Sequence, residues 1–480
     1  MKLTQNGLLL GLLVAILGGL ATFFLAWQTT GIAIIFSTIA SILLIFLGRR
    51  LTGYYTNFTV IFLTFSALYG LTGPIAAYYG EGLPNVFPTP YLVDNFLFHY
   101  SLAIIAMSVG LVVSASVKIT RINVENQMPR WNERALLVIA CAFAGIASLM
   151  EIVNLFRVGG IGVLLAGKAA YQSAVSDQTG TLPSVEITLL ATTFLGLCLS
   201  AKNVTATVRM RRLHLIVLWL ALASPEILIL LVLGRRGSLL SLLVVLIISY
   251  SFFSPIKRIN SKWFAIALTL YLIMGFMYGS RAQIGHALAT GELSALTMRM
   301  SKPEFWATSL NPANNEFGAP FGNFNTYVLS GMAELRWGET YLIGLTIPIP
   351  RFIWPDKPQS IVYEFRDTFF SDWAQRGTIA GTAYSSILEA YVNFGTLGVP
   401  VVYFLIALAM GWLEKMRSRS RSLAFTILYL TLLPEAITFH RSSLEMPLFW
   451  PSLLALVGVG SYIVINSMIK YYRPAKGCCI

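Results

Sequence analysis

The sequence predicts an all-α polytopic membrane protein with about twelve transmembrane helices and both termini cytoplasmic. One long extracytoplasmic loop is expected to contain short helices or a re-entrant segment. Three observations predict this. Of the 480 residues, 56% are hydrophobic and only 11% charged, where a soluble chain carries about 25% charged. Apolar runs long enough to cross a hydrocarbon core recur along the whole chain. Basic residues concentrate in every second gap between those runs.

Taken in order, the runs place helices near 7–27, 31–47, 55–75, 96–117, 135–156, 185–201, 213–233, 238–254, 263–280, 384–413, 423–439 and 450–470. The first follows Lys2 and is too long for the apolar core of a signal peptide. It also lacks a small-residue cleavage motif, so it reads as a transmembrane helix. With the N-terminus inside, 21 of the 34 Lys and Arg fall in cytoplasmic segments, against three acids, Glu125, Glu133 and Glu414. The outer side holds 13 basic and 18 acidic residues, and the outer loop at 76–95 carries no basic residue. This is the positive-inside asymmetry. Three regions follow: 1–280 with nine transmembrane helices, 281–383 as an extracytoplasmic loop carrying site residues, and 384–480 with three C-terminal helices and a short cytoplasmic tail.

The net charge of +13 does not indicate nucleic-acid binding, because the basic residues are dispersed and no basic helix or soluble domain carries them. The four cysteines form no metal or disulfide framework. Cys141 and Cys198 lie inside apolar runs, and Cys478 and Cys479 end the chain. A prenylation signal would need cysteine where Gly477 stands. The four histidines lack metal-ligand spacing, so neither a metal nor a cofactor is expected.

In "LVLGRRGSLLSLL" (231–243), Arg235 and Arg236 separate two apolar runs and fall on the outer side, where the charge rule disfavours them. Flipping them inward would invert the charge-rich loops on either side. They either snorkel from a helix end or bind an anion at the outer surface. A planar, permanently charged guanidinium suits phosphate.

Residues 281–383 contain no clean span, and loops of that length are usually functional. The apolar piece "TYLIGLTIPIPRFIW" (340–354) is too short to cross and is broken by Pro348 and Pro350, so it is expected to be re-entrant or interfacial. "SLNPANNEFGAPFGNFNTY" and "SDWAQRGTIAGTAYSS" are rich in amides and aromatic rings. Those groups suit sugar hydroxyls and C–H faces, and equally suit a membrane interface. The loop carries eight basic residues: Arg281, Arg299, Lys302, Arg336, Arg351, Lys357, Arg366 and Arg376. With Arg235, Arg236 and Arg441 they are candidates for an outward electropositive pocket, unless they pair with acids such as Asp356, Glu364 or Asp367.

Four acids are expected inside the outer leaflet, where ionisable groups are costly and point to function. Glu226 and Glu435 each lie 14 residues beyond the last cytoplasmic arginine of their helix, or about 21 Å at helical rise. Glu151 lies about 25 Å up its helix, and Glu389 sits at the outer interface about 37 Å from Glu414. Pairing between glutamate and arginine within a bundle is the alternative to a functional role. Glu389 precedes Gly395, Gly398 and Pro400, which should break or kink the helix, and broken helices at membrane depth line cavities. Of the histidines, His440 beside Arg441 is the site candidate.

These residues together resemble the O-antigen polymerase (Wzy) and oligosaccharide repeat-unit polymerase family. The segments that carry the resemblance are "LGRRGSLL", "YGSRAQIG", "IPIPRFIWPDKP" and "LEAYVNFGTLG". It covers the C-terminal half, and the first 200 residues match by hydropathy alone. An Arg-x10-Gly spacing from Arg366 to Gly377 also fits such polymerases, although a loop rich in both residues reaches it readily by chance.

The resemblance implies a metal-independent glycosyltransferase of the bacterial inner membrane, with its active site facing the periplasm. Such enzymes join oligosaccharide units carried on undecaprenyl diphosphate, and a chain-length regulator is the implied partner. Arg235 and Arg236, with Arg281 and Arg351, would bind the diphosphate and stabilise its charge as the glycosidic bond breaks. Lys357, Arg366, Arg376, Arg441, Tyr391 and Asn393 are the further expected substrate contacts. Glu389 is the first candidate for general base and His440 the second. The alternatives are an O-antigen ligase-like transferase using the same donor, a lipid-linked oligosaccharide flippase or transporter, and a non-catalytic scaffold. Two similar halves and a polar midplane path would mark a flippase, whereas here the ionisable residues crowd one side under one large loop.

Overall fold

The computed structural model describes residues 4–80, 90–117, 131–166, 171, 183–200, 206–252, 256–280, 284, 287, 290–291, 293–311, 317–332, 334–346, 349, 353–371, 383–420 and 422–471. Among them every regular element is helical. The first nine main helices are α1 (Gln5–Ala26), α2 (Thr30–Thr52), α3 (Phe58–Tyr78), α4 (Pro90–Ser116), α5 (Glu133–Arg157), α6 (Ser184–Ser200), α7 (Ala206–Val232), α8 (Arg236–Ser251) and α9 (Ser261–Ser280). Five short helices follow: α10 (Leu293–Met300), α11 (Pro303–Leu310), α12 (Ala319–Leu329), α13 (Glu339–Gly344) and α14 (Ile361–Phe369). The chain then forms α15 (Ser386–Arg419), α16 (Leu423–Thr431), a short turn through Glu435–Thr438 and Phe439–Arg441, and α17 (Glu445–Tyr471).

Each expected apolar run is a helix. Nine described segments are long and apolar enough to cross a membrane, and shorter apolar helices at Ser184–Ser200, Ile216–Val232 and Arg236–Ser251 occupy the other three runs. This is a multi-pass membrane protein. The chain ends at 1–3 and 472–480 lie outside the described residues.

Two apolar cores organise the bundle. The first joins α1–α4 with α15, and the second joins α5–α8 with α16 and α17. α4 and α15 approach closely because Gly110 lacks a side chain; a Cβ there would lie 2.7 Å from that of Ala407. Small residues at such a contact let helix backbones pack where lipid offers no hydrophobic drive.

The long loop does not stay outside this packing. α12 sets Phe321 and Phe324, both fully buried, edge-on against Phe96 at 5.3 and 5.4 Å. α12 therefore wedges against α3, α4 and α15. The piece expected to be re-entrant or interfacial begins as α13, which buries Thr340 and Ile343 and leaves Leu342 and Leu345 exposed. Residues 347–348 and 350–352 lie outside the described residues.

α15 breaks at Gly395, whose backbone (φ 65°, ψ −158°) is open to glycine and strained for other residues. Pro400 contributes by removing a backbone donor. The break frees carbonyls, and the loop takes them: Arg336 N–H donates to Val392 O at 3.1 Å and Trp337 N–H to Asn393 O at 3.0 Å. Non-helical backbone at membrane depth is satisfied by protein.

Lys415 and Arg417, counted from sequence as cytoplasmic loop charges, are buried in the last turns of α15. Lys415 Nζ donates to the carbonyls of Ser114 and Val117 at the C-terminal end of α4, where a cation offsets the helix dipole. Arg417 donates to Thr56 O at 2.8 Å and lies over the rings of Tyr54, Phe252 and Tyr429. Burial needs partners, and these two charges have them. Each of these contacts joins segments that the charge pattern places on one side.

Candidate functional site

The turn after α7 uses Gly234 (φ 62°), and Arg235 then stands as the N-cap of α8 with Arg236 in its first turn. A helix N-terminus presents unpaired N–H groups and the positive end of the helix dipole, a natural environment for an anion. Both arginines pack on aromatic rings. Arg235 lies over Tyr171 at 5.5 Å, and Arg236 over Tyr278 of α9 at 4.7 Å, which fixes their orientation by cation–π attraction.

A third arginine arrives from far along the chain. Arg441 ends the turn at Phe439–Arg441, and its guanidinium lies against the backbone of Gly237, where a Cβ would meet Nη2 at 2.9 Å. Arg235, Arg236 and Arg441 therefore share the N-terminal end of α8. Three positive charges at a helix N-terminus repel one another, and a multivalent anion would relieve that repulsion.

Carboxylates lie beneath them. Glu151 is 2% exposed and accepts from Ser184 Oγ at 2.6 Å, Tyr171 OH at 3.3 Å and Asn154 Nδ2 at 3.3 Å. Glu226 is fully buried, and among the described residues no donor meets hydrogen-bonding geometry with either of its oxygens. Arg235 acts electrostatically on Glu226 and Glu186, and Arg441 on Glu435, which also accepts from Thr438 at 2.7 Å. Three of the four acids expected together thus gather with the arginines. Glu389 does not.

Glu389 centres a second cluster, because α15 carries it into the other core beside α13. It is 1% exposed, with Oε1 accepting from Thr340 Oγ1 at 2.9 Å and Oε2 from Leu444 N–H at 2.8 Å. Asn393, one turn on, donates to Thr340 Oγ1 at 2.7 Å and accepts from Gly338 N–H at 2.9 Å. Nearby, Arg336 pairs with both oxygens of Glu364. That pairing holds the guanidinium above its ordinary pKa, against partial desolvation. Leu444 is three residues beyond Arg441, so Glu389 ties the broken helix to the segment bearing the third arginine.

Other expected site residues are dispersed. His440 is adjacent to Arg441 in sequence but 4% exposed, with Nε2 3.0 Å from Phe62 O, and it lines a small cavity with Ser66, Tyr69, Tyr100 and Tyr403. Tyr391 packs on His99 and Phe324 at 5.0 and 5.5 Å. Lys357 Nζ donates to Ile349 O at 3.1 Å, and Arg366 pairs with Asp367 on α14. Arg281, Arg351 and Arg376 lie outside the described residues. Sequence reasoning missed Tyr171, Tyr278, Thr340 and Gly237. Of these only Gly237, in "GRRGS", carried a signal: a glycine beside two arginines permits close approach.

Residues 359–472 match the family model described as O-antigen polysaccharide polymerase Wzy. The match bears out the resemblance read from the sequence. It covers α14 through α17, including Glu389, Asn393 and Arg441, whereas Arg235 and Arg236 precede it. The matched segment is similar to that of O-antigen polysaccharide polymerases. Comparison with curated proteins and with solved structures found no match.

Proposed function

We propose that this chain, which carries the Wzy-family segment at residues 359–472, polymerises undecaprenyl-diphosphate-linked oligosaccharide repeat units. It does so on the periplasmic face of the bacterial inner membrane. The observation that carries the reading is the convergence of Arg235, Arg236 and Arg441 at the start of α8. The three guanidinium groups hold the donor's diphosphate, with planar donors suited to its oxygens.

An acceptor hydroxyl oxygen attacks the anomeric carbon of the donor sugar. The bond from that carbon to the diphosphate oxygen breaks, its electron pair stays on the diphosphate, and the arginines stabilise the charge that develops there. The hydroxyl proton passes to a general base. Glu389 takes that role, with the Thr340 hydroxyl on Oε1 giving way to the acceptor's hydroxyl. His440 is the second candidate. The charge of the arginines serves where other transferases use a metal, so chain growth proceeds in the presence of a chelator.

The test uses purified protein in lipid vesicles with native lipid-linked repeat units, with and without chelator, and resolves the products by size. A ladder that persists with chelator is the expected result. A single transfer onto a lipid core sugar would mean a ligase, and movement of intact substrate across the bilayer without a ladder would mean a flippase.

A further inference from the structure

At the break in α15 a large aromatic side chain is held outward on strained backbone. Trp337 has φ 48°, in the left-handed region that a bulky residue rarely adopts, and it is 75% exposed. Gly338 follows at φ 90°. Asn393 clamps the pair, taking the Trp337 N–H on its backbone oxygen at 3.0 Å and the Gly338 N–H on Oδ1 at 2.9 Å. Phe394, the next residue, lies beside Gly338 and stacks on Tyr341 with ring centres 6.1 Å apart. Trp337, Tyr341 and Phe394 thus form an aromatic group at the break. Strain of this kind persists where the surrounding structure enforces it, often at a working surface.

α13 runs on from this turn and packs on two spans, α15 and α17. Thr340 Oγ1 and the Leu444 N–H share the Glu389 carboxylate, which places α13 at the N-terminal ends of both. Thr340 and Ile343 are buried, whereas Leu342 and Leu345 are 64 and 65% exposed. Both neighbouring spans carry exposed aliphatic strips at helical spacing: Leu397, Val401 and Leu405 on α15, and Leu453, Leu456 and Val457 on α17. On membrane-crossing helices such strips face lipid. An exposed leucine pair on a helix packed against both spans extends that surface. Aliphatic side chains give a sugar neither hydrogen bonds nor a stacking face, while acyl chains need only apolar area. Tryptophan favours headgroup level, and the exposed Glu334 and Glu339 beside Trp337 need water or headgroups.

We propose that Leu342 and Leu345 rest among the phospholipid acyl chains of the leaflet at this end, the outer one by the charge pattern, with Trp337 anchoring the turn at headgroup level. The bilayer and Glu389 then hold opposite faces of α13, the first through its leucines and the second through Thr340. No substrate enters this argument, so it stands apart from the donor reading given above.

The chain has ten tryptophans, so the emission of Trp337 is read as the difference between the full-length protein and Trp337→Phe. Both are placed in phosphatidylcholine vesicles, plain or carrying bromine near the headgroup end or near the middle of the acyl chain. The difference emission should fall at least twofold with the shallow bromines and less with the deeper ones. Aqueous iodide should leave it unchanged. Leu342→Ser combined with Leu345→Ser, compared with the same pair carrying Trp337→Phe, should lose at least half of the bromine quenching while eluting as a normal monodisperse species. Quenching by iodide without any response to brominated lipid would make this a water-exposed face and overturn the proposal. Protection from both quenchers would mean that protein covers it, a second copy or a partner, and would overturn it too. Unchanged bromine quenching in the double serine variant would do the same.

Discussion

The guanidinium of Arg441 occupies the space that a Cβ at residue 237 would need, 2.9 Å from its Nη2. The contact crosses some two hundred residues of sequence and brings a C-terminal arginine to the helix that begins with Arg236. Gly237→Ala should therefore separate stability from activity. The displaced group is the tip of a flexible side chain, and alanine gains about 1 kcal/mol in helix propensity over glycine, so the thermal midpoint should change little. Chain growth should fall at least tenfold, read as ladder formation per folded protein.

Arg235, Arg236 and Arg441 should each be required. Single alanine variants should lose about 10²–10³ in turnover if each stabilises developing diphosphate charge. Lysine variants should recover part of it, because the charge returns without the planar fork. Normal polymer from the alanine variants at normal protein levels would remove the triad from the mechanism.

Glu389→Gln tests a base against a latch. Both carboxylate oxygens hold protein donors, Thr340 and Leu444, and glutamine keeps one acceptor. As a base, Glu389 should leave no ladder when replaced by glutamine, with little change in unfolding. As a latch alone, Glu389→Gln and Thr340→Ala should lower the midpoint together, by about 1–3 kcal/mol each, and keep measurable polymer.

Arg417→Met should be among the most destabilising substitutions in the chain. It leaves Glu414, 2% exposed, with its tyrosine donors but without the buried cation. Arg417 and Glu414 are joined through the Tyr429 hydroxyl, and removing a buried charge from such a network costs about 1–3 kcal/mol for each donor or acceptor left unpaired. A detergent thermal melt checks it, and Glu414→Gln in the same background should recover part of the loss. Arg336→Ala is the contrast: its partner Glu364 is 39% exposed, and such pairs contribute about 1 kcal/mol or less.

Hydropathy made the spans legible because lipid imposes length and apolarity on each run separately. α1 and α15 are read one at a time. Glycine and proline showed where α15 breaks, since Gly395 and Pro400 act on their own backbone. Helix rise brought Glu151, Glu226 and Glu435 to one depth but could not assign azimuth, so Glu389 was grouped with them and belongs elsewhere. Depth is local to a helix, whereas neighbours depend on packing between helices. The same limit hid the inward wedge of α12, read as part of an external loop, and the burial of Lys415 and Arg417, counted only as cytoplasmic charges. Tyr171 and Tyr278, which hold the arginines, stand among many aromatic residues that hydropathy cannot tell apart.

The break in α15 also makes the docking of the loop depend on the backbone of the bundle. The carbonyls of Val392 and Asn393 accept the loop backbone at Arg336 and Trp337, and a straight helix would have kept those carbonyls for itself. The spans do not need these two bonds to form their own helices, whereas the docked loop needs the carbonyls that the break at Gly395 leaves open. Gly395→Ala should yield a protein that inserts fully yet is cut rapidly by protease between residues 330 and 345. Equal protease resistance in both proteins would show that docking is independent of the break. Docking of the loop on α15 is then separable from insertion of the spans, and it depends on one glycine.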